Sequence, residues 1–310
     1  MSLDKRVARF TELVKRFDPN LSTLVDPLIA RVRIDDILSE NLRMAVAIYT
    51  SRCLPDRRIV TNEEELLKAF VRNRELIKNC TPNGMMVPKR EVSLEFNLVI
   101  RMFADIMESL NFGDLLTSWH VPLNVRFKDG DVVKGNLERN FPTEHIHSDS
   151  WAGESAESVT VMIPLFGDTE RNKVEYYSPP EDFQEEWLGP QPSYAHNAWI
   201  AEKYTKINAP YSKGYIYLVD FSTLHASARL PGSGPRVSID TTFAFPPQEG
   251  SAEKIHPWRA EERSGHETLC NVGRKTYFSF SHSWEEMVDS MGGYKHPSSL
   301  RVIEFKRDGE

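Results

Sequence analysis

The chain has 310 residues, 40% of them hydrophobic and 27% charged, with a formal net charge of −7. This is the balance of a globular protein with room for a substantial core, and the acidic sum argues against a sequence-independent nucleic-acid binder, which needs a basic surface. No apolar run approaches bilayer length, residues 1–9 lack the apolar core of a secretion signal, and Cys53, Cys80 and Cys270 are scattered, so the expectations are a cytoplasmic location, no membrane, and neither a disulfide framework nor a zinc site.

Residues 1–115 read as a helical region. Val7, Phe10, Leu13, Val14 and Phe17 recur at three- and four-residue steps and give one apolar face. Thr61 with Glu64 has the spacing of a capping box that opens a helix through Leu66, Leu67, Phe70 and Val71. Leu94, Leu98, Met102, Phe103, Ile106, Met107 and Leu110 form a longer stripe, predicted to be the main scaffold helix on the outside of a following sheet.

The middle changes character. Short runs rich in Val, Ile, Tyr and Phe, at 119–127, 143–151, 158–166, 173–178, 214–221 and 235–245, are separated by Gly, Pro and Asp, the pattern of an antiparallel sheet. They fit a jelly roll (double-stranded β-helix), so the predicted class is α+β with the helical N-terminal region packed on that core. Residues 116–248 are the predicted core, with an aromatic- and Pro-rich lid insertion at 179–213. Residues 249–310 form a C-terminal extension with strand-like runs Lys275 to Phe280 and Leu300 to Phe305 and a capping pair, Ser283 with Glu286. One structural unit is expected, and no internal repeat is visible. No feature sets an oligomeric state.

The chemistry concentrates in the core. His147 and Asp149 stand two apart in an extended-looking run, where side chains two apart share a face. His225, at the end of the run 214–221, can supply a second imidazole. Two histidines and a carboxylate leave three open positions on an octahedral metal, the arrangement associated with non-heme Fe(II) oxygenases. Arg236 and Ser238 then share a face of the next run, where a guanidinium and a hydroxyl together can grip a carboxylate.

This pattern of His-x-Asp, distal His and downstream Arg-x-Ser, over roughly residues 119–246, resembles the Fe(II)/2-oxoglutarate-dependent oxygenases. The resemblance implies that His147, Asp149 and His225 bind iron, that Arg236 and Ser238 hold the distal carboxylate of 2-oxoglutarate, and that O2 is the third reactant. It implies decarboxylation to succinate and CO2 coupled to hydroxylation of a small-molecule metabolite; the presence of Asp149 argues against halogenation, while desaturation or ring closure would use the same ligands. The phytanoyl-CoA hydroxylase-like branch is a partial match: Asn172 sits where that branch carries Asn-Gly, but Lys173 replaces the Gly and residues 178–181 read Ser-Pro-Pro-Glu rather than Pro-Gly-Ser-His. Asn172 otherwise reads as a turn residue.

Other polar and aromatic residues have two readings each. Trp151 either lines the substrate pocket or packs at the barrel mouth. Asn124 and Arg126 share a face and either reach substrate or form a polar strand face; Trp199 is a lid residue that could contact substrate. His145 reads as a strand-end or ligand-orienting residue, and Arg229 is a rival of Arg236 for the carboxylate. Three other functions stay open: an Fe(II) oxidase that needs no 2-oxoglutarate, a cupin-like metalloenzyme built on His145, His147 and His225, and a non-catalytic jelly-roll binding protein.

Overall fold

A computed structural model of the chain describes residues 2–77, 80–81, 83–112, 118–120, 123–130, 140–154, 156, 158–244, 266–267, 275–279 and 300–304. In chain order the helices are α1 (Leu3–Lys15), α2 (Asp36–Arg52), α3 (Glu63–Arg72), α4 (Ser93–Ser109) and the single turn α5 (Ala198–Ala201). The strands are β1 (Leu24–Asp26), β2 (Ile29–Arg33), β3 (Met85–Met86), β4 (Ser118–His120), β5 (Asn124–Lys128), β6 (Val159–Gly167), β7 (Asn172–Ser178), β8 (Thr205–Ile207), β9 (Tyr215–Asp220), β10 (Leu224–Arg229), β11 (Arg236–Ala244), β12 (His266–Glu267), β13 (Lys275–Ser279) and β14 (Leu300–Glu304). Residues 1–115 therefore supply strands as well as helices.

A nine-stranded sheet runs β1-β2-β9-β6-β11-β4-β12, with β5 paired to both β11 and β3. A second sheet runs β10-β7-β8, and β13 pairs with β14. Every pairing is antiparallel. The period of two assigns the faces of the large sheet. Val125 and Phe127 of β5, Val159, Val161, Ile163 and Leu165 of β6, Ile216 and Leu218 of β9, and Val237, Ile239 and Phe243 of β11 pack with Phe10, Val46, Phe70, Phe96 and Phe103 of the helices. On the other face Ile29, Met162, Tyr217 and Val219 pack with Val174 and Tyr176 of β7 and with Tyr211. Helices thus cover one face and the small sheet covers the other. Each large apolar side chain enclosed this way stabilises the fold by about 1.5–3 kcal/mol.

The helices differ from the sequence reading in three places. Helix α2, which that reading passed over, is opened by Asp35, whose carboxylate accepts from the amides of Ile37 and Leu38. Helix α3 is capped by Asn62, which accepts from the Glu65 amide at 3.0 Å, rather than by Thr61. Helix α4 buries Phe96, Val99, Ile100, Phe103, Ala104, Ile106 and Met107, while Leu94 is 80% exposed and Leu98 40%. Its inward face is therefore rotated from the predicted stripe, and Phe103 meets Phe243 of β11 with ring centroids 6.0 Å apart. The predicted cap at Ser283 and Glu286 lies outside the described residues.

Helix α1 is tied down by a buried cation. Arg6, on the same stripe as Phe10 and Val14, is fully enclosed and donates to Asp220 at 2.8 Å, to Glu185 at 2.8 Å and to the Ala156 carbonyl at 2.5 Å. Asp220 also accepts from the amide and hydroxyl of Ser222. One guanidinium thereby joins α1, the end of β9, the loop after residue 152 and the insertion 179–213.

Candidate functional site

His147, Asp149 and His225 meet where the small sheet closes over the large one. Residues 143–151 do not form the predicted strand. His147 alone makes a bridge to His225 of β10, each amide donating to the other's carbonyl at 2.9 and 2.8 Å. The chain then turns into a short 3-10 turn, Asp149–Ala152. The cause is local: the Ser148 hydroxyl accepts from the Ser150 amide and is itself 2.8 Å from the Phe221 carbonyl, so a side-chain cap replaces strand pairing. Asp149 consequently reaches the histidines from the first position of that turn rather than from a shared strand face. His225 sits within a strand of its own, β10, instead of at the end of the run 214–221.

The three donor sets lie within 4.8 Å of one another, and Asp149 Oδ1 is 3.8 Å from Nε2 of both histidines. Donors bound at about 2.1 Å on adjacent corners of an octahedron are roughly 3 Å apart, so an ion of this class fits once Asp149 closes on each histidine by about 1 Å and no donor pair closes by more than about 2 Å. His147 Nδ1 is 2.7 Å from the His145 carbonyl, a bond it can make only as a donor, which leaves the Nε2 lone pair turned to the centre. Burial, with the neighbouring His225 ring, pushes the His147 imidazole down to about 3, and burial takes His225 down to about 4. Both rings are therefore neutral and able to ligate near pH 7. Burial pushes the Asp149 carboxyl up against the pull of His147, as in a carboxylate that wants a cation beside it. The Tyr194 ring stacks on His147 with centroids 4.0 Å apart.

The inner face of the large sheet carries charge in register. Arg236 pairs across β11 and β5 with Lys128, Ser238 with Arg126, and Asp240 with Asn124. Arg126 grips Asp240 through Nε at 2.7 Å and Nη2 at 2.8 Å, and Asn124 adds 2.8 Å. Burial alone would raise the Asp240 carboxyl, but these partners hold it below its ordinary range. Arg236 differs: it is 1% exposed, its Nε and Nη1 have no hydrogen-bond partner among the described residues, and its guanidinium lies 5.1 Å from the Tyr211 ring centroid. Arg229, the rival cation, donates to Glu144 at 2.5 Å, and Lys128 meets the same carboxylate at 3.2 Å and the Thr143 hydroxyl at 2.5 Å. Burial, opposed by Glu144, brings the Lys128 ammonium down to about 7.

The remaining candidates divide between buried and exposed positions. Trp151 is 1% exposed and gives its Nε1 proton to the Trp187 carbonyl at 2.7 Å, within a cluster of Phe141, Phe183, Trp187, Leu188 and Tyr194. It packs beneath the insertion rather than lining a pocket. Trp199 is 53% exposed and stands edge-on to Trp187. His145 contributes its carbonyl, and the metal-competent group among the described residues is His147, Asp149 and His225 without it. Asn172 is not a turn residue: it opens β7, fully buried, with Nδ2 donating to the carbonyls of Lys128, Asp129 and Gly234. Sequence reasoning passed over Lys128, Thr160 and Asp240. Their common signal was a polar side chain at the even positions of runs whose odd positions are apolar.

No protein-family model matches the chain, and no curated protein does. Among solved structures it is similar to the non-heme alpha ketoglutarate dependent epimerase SnoN from nogalamycin biosynthesis, at 13% identity over 80% of this chain and 88% of that one, with a TM-score of 0.39. It is similar to AviO1 from Streptomyces viridochromogenes Tue57, at 14% identity over 71% and 92% of the two chains and a TM-score of 0.39. A third is an N-substituted L-amino acid dioxygenase from Burkholderia ambifaria AMMD, at 10% identity over 71% and 83% with a TM-score of 0.34. Likenesses this low carry no argument, and the functional assignment rests on the side chains of this chain.

Proposed function

We propose that the protein is an Fe(II)/2-oxoglutarate-dependent oxygenase that hydroxylates a small molecule, with the two sheets forming a double-stranded β-helix around the reaction site. The observation that carries this reading is the conjunction of a neutral two-histidine, one-carboxylate group with a buried guanidinium that has no counter-ion among the described residues. An enclosed cation with two unpartnered nitrogens is costly, and a carboxylate ligand would remove that cost. Fe(II) held by His147, Asp149 and His225 would supply the redox chemistry that couples decarboxylation of 2-oxoglutarate to oxidation of a substrate C–H bond by O2. The balance is one O2, one 2-oxoglutarate and one C–H in, and one C–OH, one succinate and one CO2 out.

The chain's own groups have separable tasks. The histidine Nε2 lone pairs and the Asp149 charge select a divalent ion. Arg236 fixes the distal carboxylate and Ser238, 4% exposed on the same face, offers it a hydroxyl. The small sheet and the aromatic cluster under residues 179–213 exclude water. Trp199 on that insertion, with Asn124 and Arg126 around Asp240, are the candidates for contact with substrate. Oxygen uptake measured with and without 2-oxoglutarate tests the reading: uptake that requires 2-oxoglutarate and yields succinate supports it. Uptake without 2-oxoglutarate would instead assign Arg236 to a substrate's own carboxylate, and no iron-dependent uptake under any condition would sink the oxygenase reading.

A further inference from the structure

We propose that Thr160 is a positioning residue that confines Asp149 to a single metal-facing oxygen. This rests on the reading of His147, Asp149 and His225 as a metal site, and concerns how many positions on the metal that site leaves open.

A carboxylate can ligate through one oxygen or two. With two histidines already bound, one carboxylate oxygen leaves three of six positions free, whereas two leave only two. A 2-oxo acid chelating through two atoms, plus O2, needs three. The denticity of Asp149 therefore decides whether all the reactants fit, and nothing in its own backbone sets it. Asp149 stands at the start of a short 3-10 turn with its side chain 27% exposed, free to rotate about the bond to its carboxyl group.

Thr160 removes that freedom. Its Oγ1 donates to Asp149 Oδ2 at 2.7 Å, while the other oxygen, Oδ1, is the one 3.8 Å from both histidine Nε2 atoms. A hydroxyl has one proton, and here it goes to the carboxylate oxygen that is turned from the centre. The anchor is stiff for two reasons. Thr is β-branched and restricted at χ1, and Thr160 is 4% exposed on β6, paired with Val219 of β9 on one side and Thr242 of β11 on the other. The orienting group thus sits on a strand hydrogen-bonded along both edges, while the ligand it orients sits on a turn. Orienting bonds of this kind typically change metal affinity by about 10- to 100-fold when removed.

The test uses Co(II), whose visible absorption reports coordination number, on metal-free protein carrying Thr160→Val or Thr160→Ser. Valine keeps the shape and removes the hydroxyl; serine keeps the hydroxyl. The expected result is a Co(II) affinity on the order of 10-fold weaker or worse in Thr160→Val, with a weakened visible band from added carboxylate coordination, and near wild-type behaviour in Thr160→Ser. Thermal melting of the metal-free Thr160→Val protein should match wild type, because the substitution leaves the packing of β6 in place. Wild-type affinity and spectrum in Thr160→Val would overturn the role of Thr160 while leaving the metal site standing. Equal loss in both variants would mark Thr160 as a packing residue and overturn it likewise. Wild-type protein that binds no Co(II) would overturn the metal reading itself, and this proposal with it.

Discussion

Two arginines are enclosed almost completely, and they sit in regions with opposite logic. Arg6 is fully buried and meets two carboxylates and a carbonyl, so its charge is balanced inside the fold. Arg236 is buried to the same degree, yet two of its nitrogens have no partner among the described residues, and its guanidinium lies 5.1 Å from the centroid of the Tyr211 ring. The first arrangement is complete without a ligand, and under the proposed function a ligand completes the second. Burial of a charge is therefore not the sign of a binding site; burial without a counter-ion is.

The largest expected effect breaks the complete region. Arg6→Met should destabilise the protein by up to roughly 3–5 kcal/mol, because Asp220 loses its closest cation and keeps only the Ser222 hydrogen bonds and Arg9 at 4.0 Å. Urea unfolding measures this, and a loss below about 1 kcal/mol would mean that Arg6 is no hub. Arg236→Met should do the reverse: stability unchanged or raised, with 2-oxoglutarate binding weakened by about 1.5–3 kcal/mol, on the order of 10- to 100-fold in Kd. Calorimetric titration and a melting curve on the same variant check both halves. A strongly destabilised Arg236→Met protein would erase the contrast.

Next in size is a pH effect. Lys128 faces Arg236 across β5 and β11, with Glu144, Arg229 and Arg126 around it, and burial puts its ammonium at about 7. An anion entering beside Arg236 raises that value, so binding takes up a proton when it occurs above pH 7. Affinity for 2-oxoglutarate should then be flat below about pH 7 and fall above it by at most about tenfold per unit, 1.4 kcal/mol. Stability of the ligand-free protein moves the other way. The unfolded lysine keeps its proton to about pH 10 while the buried amine has lost it, so the Lys128 contribution makes stability rise between about pH 7 and 10. Lys128→Met should flatten both slopes, and slopes that survive the substitution would reassign them. The smallest effect lies far from the site: Asn62→Ala should cost about 1 kcal/mol by uncapping α3, with 2-oxoglutarate affinity unchanged.

The residues of the proposed site were legible in the sequence, but the backbone that assembles them was only partly so. His147, Asp149, His225, Arg236 and Ser238 stand out because their spacing matches a two-histidine, one-carboxylate group followed by a carboxylate clamp. The strands β6, β7, β9 and β11 were readable as short runs rich in Val, Ile, Tyr and Phe between Gly, Pro and Asp. The segment 143–151 was not, because Ser148 diverts the chain into a turn through a side-chain bond that apolar periodicity does not register. Helix α4 was found but rotated, since Leu94 and Leu98 are apolar residues that the fold leaves outside. Thr160 and Asp240 carried only the signal of a polar residue on an alternating run: each matters through a contact with a residue 11 or 114 positions away, and only the folded chain supplies that contact.

The most direct test of the central claim is an anaerobic titration of the metal-free protein with Fe(II) and then 2-oxoglutarate, followed by visible absorption, alongside His147→Ala and Arg236→Ala. The account predicts the weak visible band of a 2-oxo acid chelated to Fe(II), absent in His147→Ala and needing far more 2-oxoglutarate in Arg236→Ala. Tight iron binding with no such band at any 2-oxoglutarate concentration would contradict it.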